Sequence, residues 1–339
     1  MVVVDDESAG QRLDNFLLRQ LKGVPKTHVY RIIRSGEVRV NKGRSSADAR
    51  LHTGDAVRLP PLRTSERAAG KSAAMLEHVA AGAPAREFSV LLEDECLLAI
   101  DKPAGVAVHG GSGVSFGVIE QLRMARPQAR FLELVHRLDR ETSGILLIAK
   151  KKSALTALQD QFRGRETGKT YLALVAGRWP GNKKVLDKPL HKYLLESGQG
   201  DAAAGERRVK VVARDDPDGR PSVTLVKVRQ RLAYQFKGLP SAVDGLTLLE
   251  VTIKTGRTHQ IRVHLASEGC PIVGDGKYGN FSLNKAMAQA GQLPAVKRMF
   301  LHAWRLQFNH PASGERVELL APLPPDLEAL TAHAATIPS

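Results

Sequence analysis

The densest polar cluster in the 339-residue chain runs from Val135 to Gly144 and carries His136, Arg137, Asp139, Arg140, Glu141 and Thr142. It passes at once into the apolar run Ile145–Ala149. A turn fixed at the edge of a buried strand can hold a carboxylate or a cation still for chemistry, although charged hairpin turns are also common without it. A second cluster, from Lys254 to Leu265, opens on a Gly256 turn into a helical stretch whose first turns carry Arg257, His259 and Arg262. His259 and His264 lie five apart, about 140° around a helix of 3.6 residues per turn, so they cannot share a face as the i,i+4 histidines of a zinc helix do. Two cysteines, Cys96 and Cys270, exclude a disulfide scaffold and a thiolate-rich metal cluster. No metal site is expected; a cation set against a carboxylate or a phosphate is.

Three further segments are open to two readings. His109-Gly110-Gly111-Ser112-Gly113 lacks the Gly-Lys-Ser/Thr ending of a nucleotide-binding loop, and is either a flexible loop that admits a polynucleotide backbone or plain surface. Lys150-Lys151-Lys152 is a solvated face or a phosphate contact. Tyr171, in Lys169-Thr170-Tyr171, sits in a strand-like run and is either core or site.

The elements that must position these groups are mostly strands. Phe88–Leu92 and Cys96–Ile100 pair about the turn Glu93-Asp94-Glu95, and further strand-like runs are Ile145–Ala149, Thr170–Val175, Val209–Ala213, Ser222–Val228 and Leu246–Ile253. Helical periods fall at Ser153–Phe162, with Ser153 as N-cap, at Thr258–Ser267 and at Leu283–Ala290. Strands outnumber helices without strand-helix-strand alternation, which predicts an α+β domain over 87–325 with a mostly antiparallel mixed sheet, followed by a tail at 326–339. Before it, residues 1–62 form a small α/β domain. Leu13, Phe16, Leu17 and Leu21 recur at helical spacing, as do Val29, Ile32 and Ile33 opposite Arg31 and Arg34, and Gly36 ends the second helix. Glu37–Val40 and Ala56–Leu59 read as strands. Residues 63–86, rich in alanine with scattered glycine and serine, read as a linker.

Composition narrows the partner. Hydrophobic residues at 42% are enough for a core, and the net charge of +15 with a pI near 10 attracts a polyanion. Residues 11–60 hold eleven Lys/Arg against four acids, +7 in a small part of the chain. Apolar runs such as Ile145–Ala149 are far too short to span a bilayer. The early acids of Met1–Glu7 leave no apolar signal region, so no membrane association and a cytoplasmic location are expected.

Taken together, His136-Arg137-Leu138-Asp139, Thr142-Ser143-Gly144, Lys169-Thr170-Tyr171 and Gly256-Arg257-Thr258-His259-Gln260-Ile261-Arg262, in that order and spacing, resemble the pseudouridine synthases that modify ribosomal and transfer RNA. Lys102-Pro103-Ala104-Gly105 and Arg298–Ala303 belong to the same pattern. Arg12-Leu13-Asp14, Gly36–Asn41 and Gly54-Asp55 resemble the S4 RNA-binding domain, with Lys26-Thr27 where many members carry Ser-Arg. Val108–Gly113 and Glu133–Val135 are most similar to members that act on large-subunit (23S) ribosomal RNA.

The resemblance implies isomerisation of specific uridines in that RNA by breaking N1–C1′ and forming C5–C1′, with no cofactor. It puts the essential carboxylate at Asp139, able to add to uracil C6 or ribose C1′ or to take the C2′ proton. A charged aspartate in a closed pocket needs a partner; Arg262 matches that position and Arg257 is its local competitor. Tyr171 matches the aromatic that stacks on the uracil and is a candidate base for C5. Leu301 matches the apolar residue on the other face of the base. Arg137 matches the side chain that fills the gap left by a flipped nucleotide. His136, Thr142 and Arg257 complete the substrate site. Arg12, Lys26, Arg31, Arg34, Arg39 and Lys42 are the expected RNA contacts of the first domain. A monomer acting on ribosomal RNA, free or in an assembling particle, is expected. Two other classes compete. A non-catalytic RNA-binding protein would most simply have lost Asp139, Tyr171 or Arg262. A nucleosidase would need a second carboxylate across the sugar, for which Glu141 is the near candidate.

Overall fold

A computed structural model describes residues 1–4, 8–21, 24, 26–60, 84–110, 116–195, 206–233, 244–289, 296–332 and 335–336. Most of the expected linker and the glycine-rich loop beyond Gly110 lie outside these residues. The chain divides into two units, Met1–Pro84 and Ala85–Ser339.

The first unit runs β1 (Val2–Val3), α1 (Leu13–Gln20), α2 (Lys26–Arg34), β2 (Arg39–Val40) and β3 (Ala56–Arg58), with an antiparallel sheet in the order β1-β3-β2. Helices of eight and nine residues are marginal alone, so packing must hold them. Leu13, Phe16 and Leu17 of α1 and Val29, Ile32 and Ile33 of α2 supply it, closing on Val38, Leu51 and Val57. That packing leaves Arg31 and Arg34 exposed on α2. Arg39 pairs across the sheet with Arg58. Asn41 and Lys42 both take left-handed backbone (φ 49° and 69°) in a two-residue turn that leaves Lys42 exposed.

The second unit runs β4 (Ser89–Glu93), β5 (Leu97–Lys102), α3 (Val118–Ala125), β6 (Glu133–Leu134), β7 (Ser143–Ala149), α4 (Lys152–Gly164), β8 (Gly168–Ala176), β9 (Val185–Asp187), β10 (Leu190–Leu195), β11 (Glu206–Val211), β12 (Val223–Ala233), β13 (Leu246–Ile253), α5 (Gln260–Ala266), α6 (Phe281–Gln289), β14 (Leu301–Asn309), β15 (Arg316–Leu320), α7 (Pro325–Ala332) and β16 (Ala335–Thr336). Its large sheet has the order β16-β12-β13-β8-β14-β7-β5-β4, with β15 on β14, β6 on β7 and β9 on β12. The pairing is antiparallel except between β7 and β14. The α+β reading therefore holds, with a mixed sheet.

Side chains alternate across this sheet, and helices cover both faces. Leu172 and Leu174 of β8 pack with Leu283 and Met287 of α6 and with Leu327 and Leu330 of α7. Ala173 and Val175, pointing the other way, pack with Ile261 and Leu265 of α5. In the other half, Leu98, Ile100, Leu146 and Ile148 meet α3, while Leu97, Ala99, Ile145 and Leu147 meet α4. Burial on both faces explains why β5 and β7 read as continuous apolar runs.

Two sequence expectations need correction. Ser153 does not cap α4: the cap is Lys151, with no side-chain hydrogen bond, and Ser153 lies in the first turn. The stretch 326–339 is not simply a tail, because Leu327 and Leu330 of α7 are core residues and β16 extends the sheet.

Candidate active site

Asp139 lies in the turn between β6 and β7, closed by Thr142 N–H donating to the Asp139 carbonyl at 3.1 Å. The turn is fixed from beneath. Lys102, fully buried, donates its ammonium to the carbonyls of Pro103 (2.8 Å), Val106 (2.8 Å) and Arg140 (3.1 Å). Burial pushes the Lys102 amine down to about 8, against the pull of Glu141 and Asp139. The exit of the turn is fixed by the parallel crossing of β7 and β14, which sets Ser143 and Gly144 against His302 and Ala303. Gly144 has φ +109°, and a Cβ there would lie 2.3 Å from the Ala303 carbonyl oxygen, so no other residue fits. Arg298 Nη1 donates to Ser143 Oγ (2.9 Å), which lies 2.9 Å from His302 Nδ1, and His302 Nε2 reaches the Ala321 carbonyl at 3.2 Å. Burial pushes His302 down to about 4, so the ring is a neutral structural link.

The partner of Asp139 arrives on the first turn of α5. Arg262 Nη1 donates to Asp139 Oδ2 at 3.0 Å. Its Nε and Nη2 grip both oxygens of Asp275 at 2.7 and 2.8 Å. Asp275 is almost fully buried and also accepts the backbone N–H of Lys277 (2.8 Å) and Tyr278 (3.0 Å). Burial works against its charge, but the Arg262 fork outweighs it and holds the carboxyl below its ordinary value. Burial likewise works against the guanidinium, which the two carboxylates hold above its ordinary value. Arg262 thus meets Asp139, but its bidentate grip is on Asp275, and Asp139 receives one nitrogen.

The approach to α5 is held by Gln260, whose Oε1 accepts Thr255 Oγ1–H (2.8 Å) and Arg257 N–H (3.0 Å) while Nε2 donates to the Val223 carbonyl and Thr224 Oγ1 at 3.0 Å each. His259 caps α5 in left-handed backbone, with Nε2 3.8 Å from Asp139 Oδ2 and Nδ1 2.9 Å from Tyr278 Oη. His264 turns elsewhere, its nitrogens facing Thr224 Oγ1 and the Lys188 carbonyl. The two histidines diverge as their spacing requires. Among the described residues, the one group of ligating side chains close enough to share a metal ion is His191, Asp216 and Asp218, and none of them lines the cleft around Asp139.

That cleft encloses about 570 Å³. Asp139, Arg262, Tyr171, Leu301, His136, Thr142, Arg137 and Arg257 all line it, so the structure brings together every sequence-predicted residue of the catalytic unit. The register of β8 with β14 puts Tyr171 and Leu301 on the same sheet face, forming an apolar wall together. Burial and the Asp139 charge raise the Tyr171 phenol above its ordinary value. His136 stacks on Phe162 with ring centroids 4.7 Å apart, and its Nε2 accepts Leu147 N–H at 3.1 Å. Burial pushes it down to about 4. It belongs to the wall. Arg137 and Arg257 are exposed at the mouth, beside Arg163, Arg165, Lys169 and Lys254.

In the first unit, Arg31, Arg34 and Lys42 are exposed and Arg39 half-buried, while the Lys26 side chain lies outside those described. Arg12 is already engaged: its Nε and Nη2 hold Asp14 at 3.1 and 2.7 Å, and Tyr30 donates to the same carboxylate at 2.8 Å. The site residues that sequence reasoning missed are Asp275 and Tyr278; Lys102, His259 and Arg298 stand within the motifs quoted above, but no part in the site was assigned to them. A signal for Asp275 was present in Gly274-Asp275-Gly276. Gly274 has φ +77°, and a Cβ on it would lie 2.0 Å from the Arg298 carbonyl oxygen.

Residues 96–267 match the family model for RNA pseudouridylate synthase, and residues 11–57 match that of the S4 domain. The chain is 47% identical over 330 residues to Ribosomal large subunit pseudouridine synthase C of Pasteurella multocida (strain Pm70), covering 97% of this chain and 92% of that one. It is 47% identical over 323 residues to the protein of the same name from Escherichia coli (strain K12), covering 95% and 92%. Among solved structures, Human RNA Pseudouridylate Synthase Domain Containing 1 is 27% identical, with a TM-score of 0.55 over 74% of this chain and 89% of that one. Agreement of this extent, together with the carboxylate cleft, means that the chain belongs to the RNA pseudouridylate synthase family and carries an S4 domain ahead of its catalytic unit.

Proposed function

We propose that the protein converts uridines of large-subunit ribosomal RNA to pseudouridine in the cleft around Asp139. One juxtaposition supports this reading most: a carboxylate held by Arg262 at 3.0 Å in a cleft whose apolar wall is Tyr171 and Leu301. The N1–C1′ bond breaks, the uracil turns, and C5 bonds to C1′; C5 loses a proton and N1 gains one, so the reaction is an isomerisation that needs no cofactor. Asp139 Oδ1 accepts no hydrogen bond from the described residues, which suits it to meet substrate as nucleophile or base. The phenol of Tyr171 enters the cycle protonated, so stacking is the role its surroundings favour. A base buried in a folded RNA must leave its stack to reach Asp139, and Arg137, which lines the cleft, fills the gap in this reading.

The basic rim of the cleft and the exposed Arg31, Arg34 and Lys42 of the S4 unit contact backbone phosphates, which RNA-binding surfaces read by shape and charge. The names of the bacterial relatives favour large-subunit ribosomal RNA as the substrate. We further propose that the protein acts as a monomer in the cytoplasm; no described helix is long and apolar enough to cross a membrane. A nucleosidase reading lacks its second carboxylate, because Glu141 pairs with Arg140 at 2.8 Å and does not line the cleft. The test is incubation with unmodified large-subunit RNA. Pseudouridine within the chain is expected; free uracil, or no product, would overturn the reading.

A further inference from the structure

His259 is a non-glycine residue held in left-handed backbone (φ 52°, ψ 21°) at the start of α5, a conformation that persists only where its surroundings impose it. Those surroundings are specific. Tyr278 Oη accepts Val209 N–H at 3.0 Å and lies 2.9 Å from His259 Nδ1. The hydroxyl has no other acceptor among the described residues, so the arrangement that uses every donor has the phenol donating to Nδ1. The ring proton is then on Nε2. That nitrogen faces the cleft and is 3.8 Å from Asp139 Oδ2, too far for a hydrogen bond. Burial holds the imidazole below its ordinary value, so the ring is neutral in the resting site.

The reaction needs such a donor. Heterolysis of N1–C1′ leaves its electron pair on the uracil, and addition at C6 likewise puts charge on a carbonyl oxygen; either way a uracil oxygen becomes more negative. Every nitrogen of Arg262 already faces a carboxylate. We propose that His259 is a further catalytic residue, locked as the Nε2–H tautomer by Tyr278 and donating to the uracil carbonyl oxygen that gains charge as N1–C1′ breaks. The inference rests on the isomerase reading above.

The experiment measures single-turnover rate and RNA affinity for wild type, His259→Asn and Tyr278→Phe on one unmodified RNA fragment that contains a uridine the wild type converts. Asparagine tolerates left-handed backbone and is too short to bring a donor to the same point. It should slow turnover by about 100-fold or more, as loss of an oxyanion donor does, with affinity within about threefold. Tyr278→Phe keeps the ring against Arg262 and removes the lock. Its rate relative to wild type should be about tenfold low near neutral pH and recover as falling pH protonates the ring, because a protonated imidazole carries Nε2–H whatever its tautomer. The groups facing His259 are Asp139, Asp275, Arg262, Lys277 and Tyr278, and the ratio to wild type cancels the titration that both proteins share. A His259→Asn rate within threefold of wild type, a rate loss matched by affinity loss, or a Tyr278→Phe ratio flat with pH would overturn the inference. Wild type that makes no pseudouridine would instead overturn the isomerase reading.

Discussion

Arg262→Lys keeps the positive charge and removes the planar fork. The native guanidinium makes three hydrogen bonds to carboxylates, two to Asp275 at 2.7 and 2.8 Å and one to Asp139 at 3.0 Å. An ammonium is a single nitrogen where the guanidinium spreads three between the two carboxylates, and set against the more deeply buried Asp275 it no longer reaches Asp139. Two charge-assisted bonds disappear, each contributing about 1.5–3 kcal/mol. Without its bond to Arg262, Asp139 should react at a rate about 10- to 150-fold lower. Without the second bond to Asp275, stability should fall by about 1.5–3 kcal/mol, or roughly 3–12 °C in Tm for a unit of this size. Single-turnover rates and thermal melts on the same preparation read both. Arg257→Lys is the control, since Arg257 is exposed and, among the described residues, its side chain makes one hydrogen bond, Nε to the Pro221 carbonyl at 3.4 Å; its melt should not move. If Arg262→Lys turns over and melts like wild type, the two-carboxylate clamp is not what positions Asp139.

Asp275 titrates below its ordinary value of 3.8 because the Arg262 fork outweighs burial. A depressed native pKa means that its contribution is complete above the unfolded value and is lost as pH falls through the lower native one. Asp275→Asn should therefore flatten the fall of unfolding free energy below about pH 4, measured by denaturant titration across pH; an unchanged slope would count against the pairing. Gly144→Ala should cost about 3 kcal/mol or more, since its Cβ would meet the Ala303 carbonyl oxygen at 2.3 Å on φ +109°, and a wild-type melt would show that the β7–β14 crossing is looser than described. Replacing Arg31, Arg34 and Lys42 by Gln should reduce the slope of log affinity against log salt by about 0.7–0.9 for each phosphate the protein no longer neutralises, with the single-turnover rate at saturating protein unchanged. An unaltered salt slope would remove the S4 unit from the RNA interface.

The legible part of this protein was what sequence neighbours dictate. The apolar run of β7, the helical periods of α1 and α2 and the charged turn at Asp139 each announce themselves within ten residues, and the cleft residues Asp139, Tyr171, Arg262 and Leu301 followed from resemblance. What depended on distant parts of the chain was not legible. Asp275 looks like one acid in a glycine turn until the fold sets it against Arg262. The parallel β7–β14 crossing leaves no local trace except Gly144, whose necessity lies in Ala303. Lys102 stands in the Lys-Pro-Ala-Gly motif with nothing local to show its burial, yet three carbonyls take it into the core. Arg12 reads as a free cation for RNA, but Asp14, two residues on, engages it. For α7, the tail expectation overlooked Leu327 and Leu330 three apart behind Pro325, a pattern that starts a helix well.

Asp139 is proposed as the carboxylate of the isomerisation, and Asp139→Asn tests that role directly. The amide is nearly isosteric and can still accept from Arg262 Nη1, but it is neither nucleophile nor base. Wild type and variant are incubated with the same unmodified large-subunit ribosomal RNA, and pseudouridine is mapped in the product while affinity is measured in parallel. The expected result is pseudouridine with wild type, none with the variant, and affinities within a few-fold of each other. A variant that forms pseudouridine at anything near the wild-type rate would contradict the assignment of Asp139.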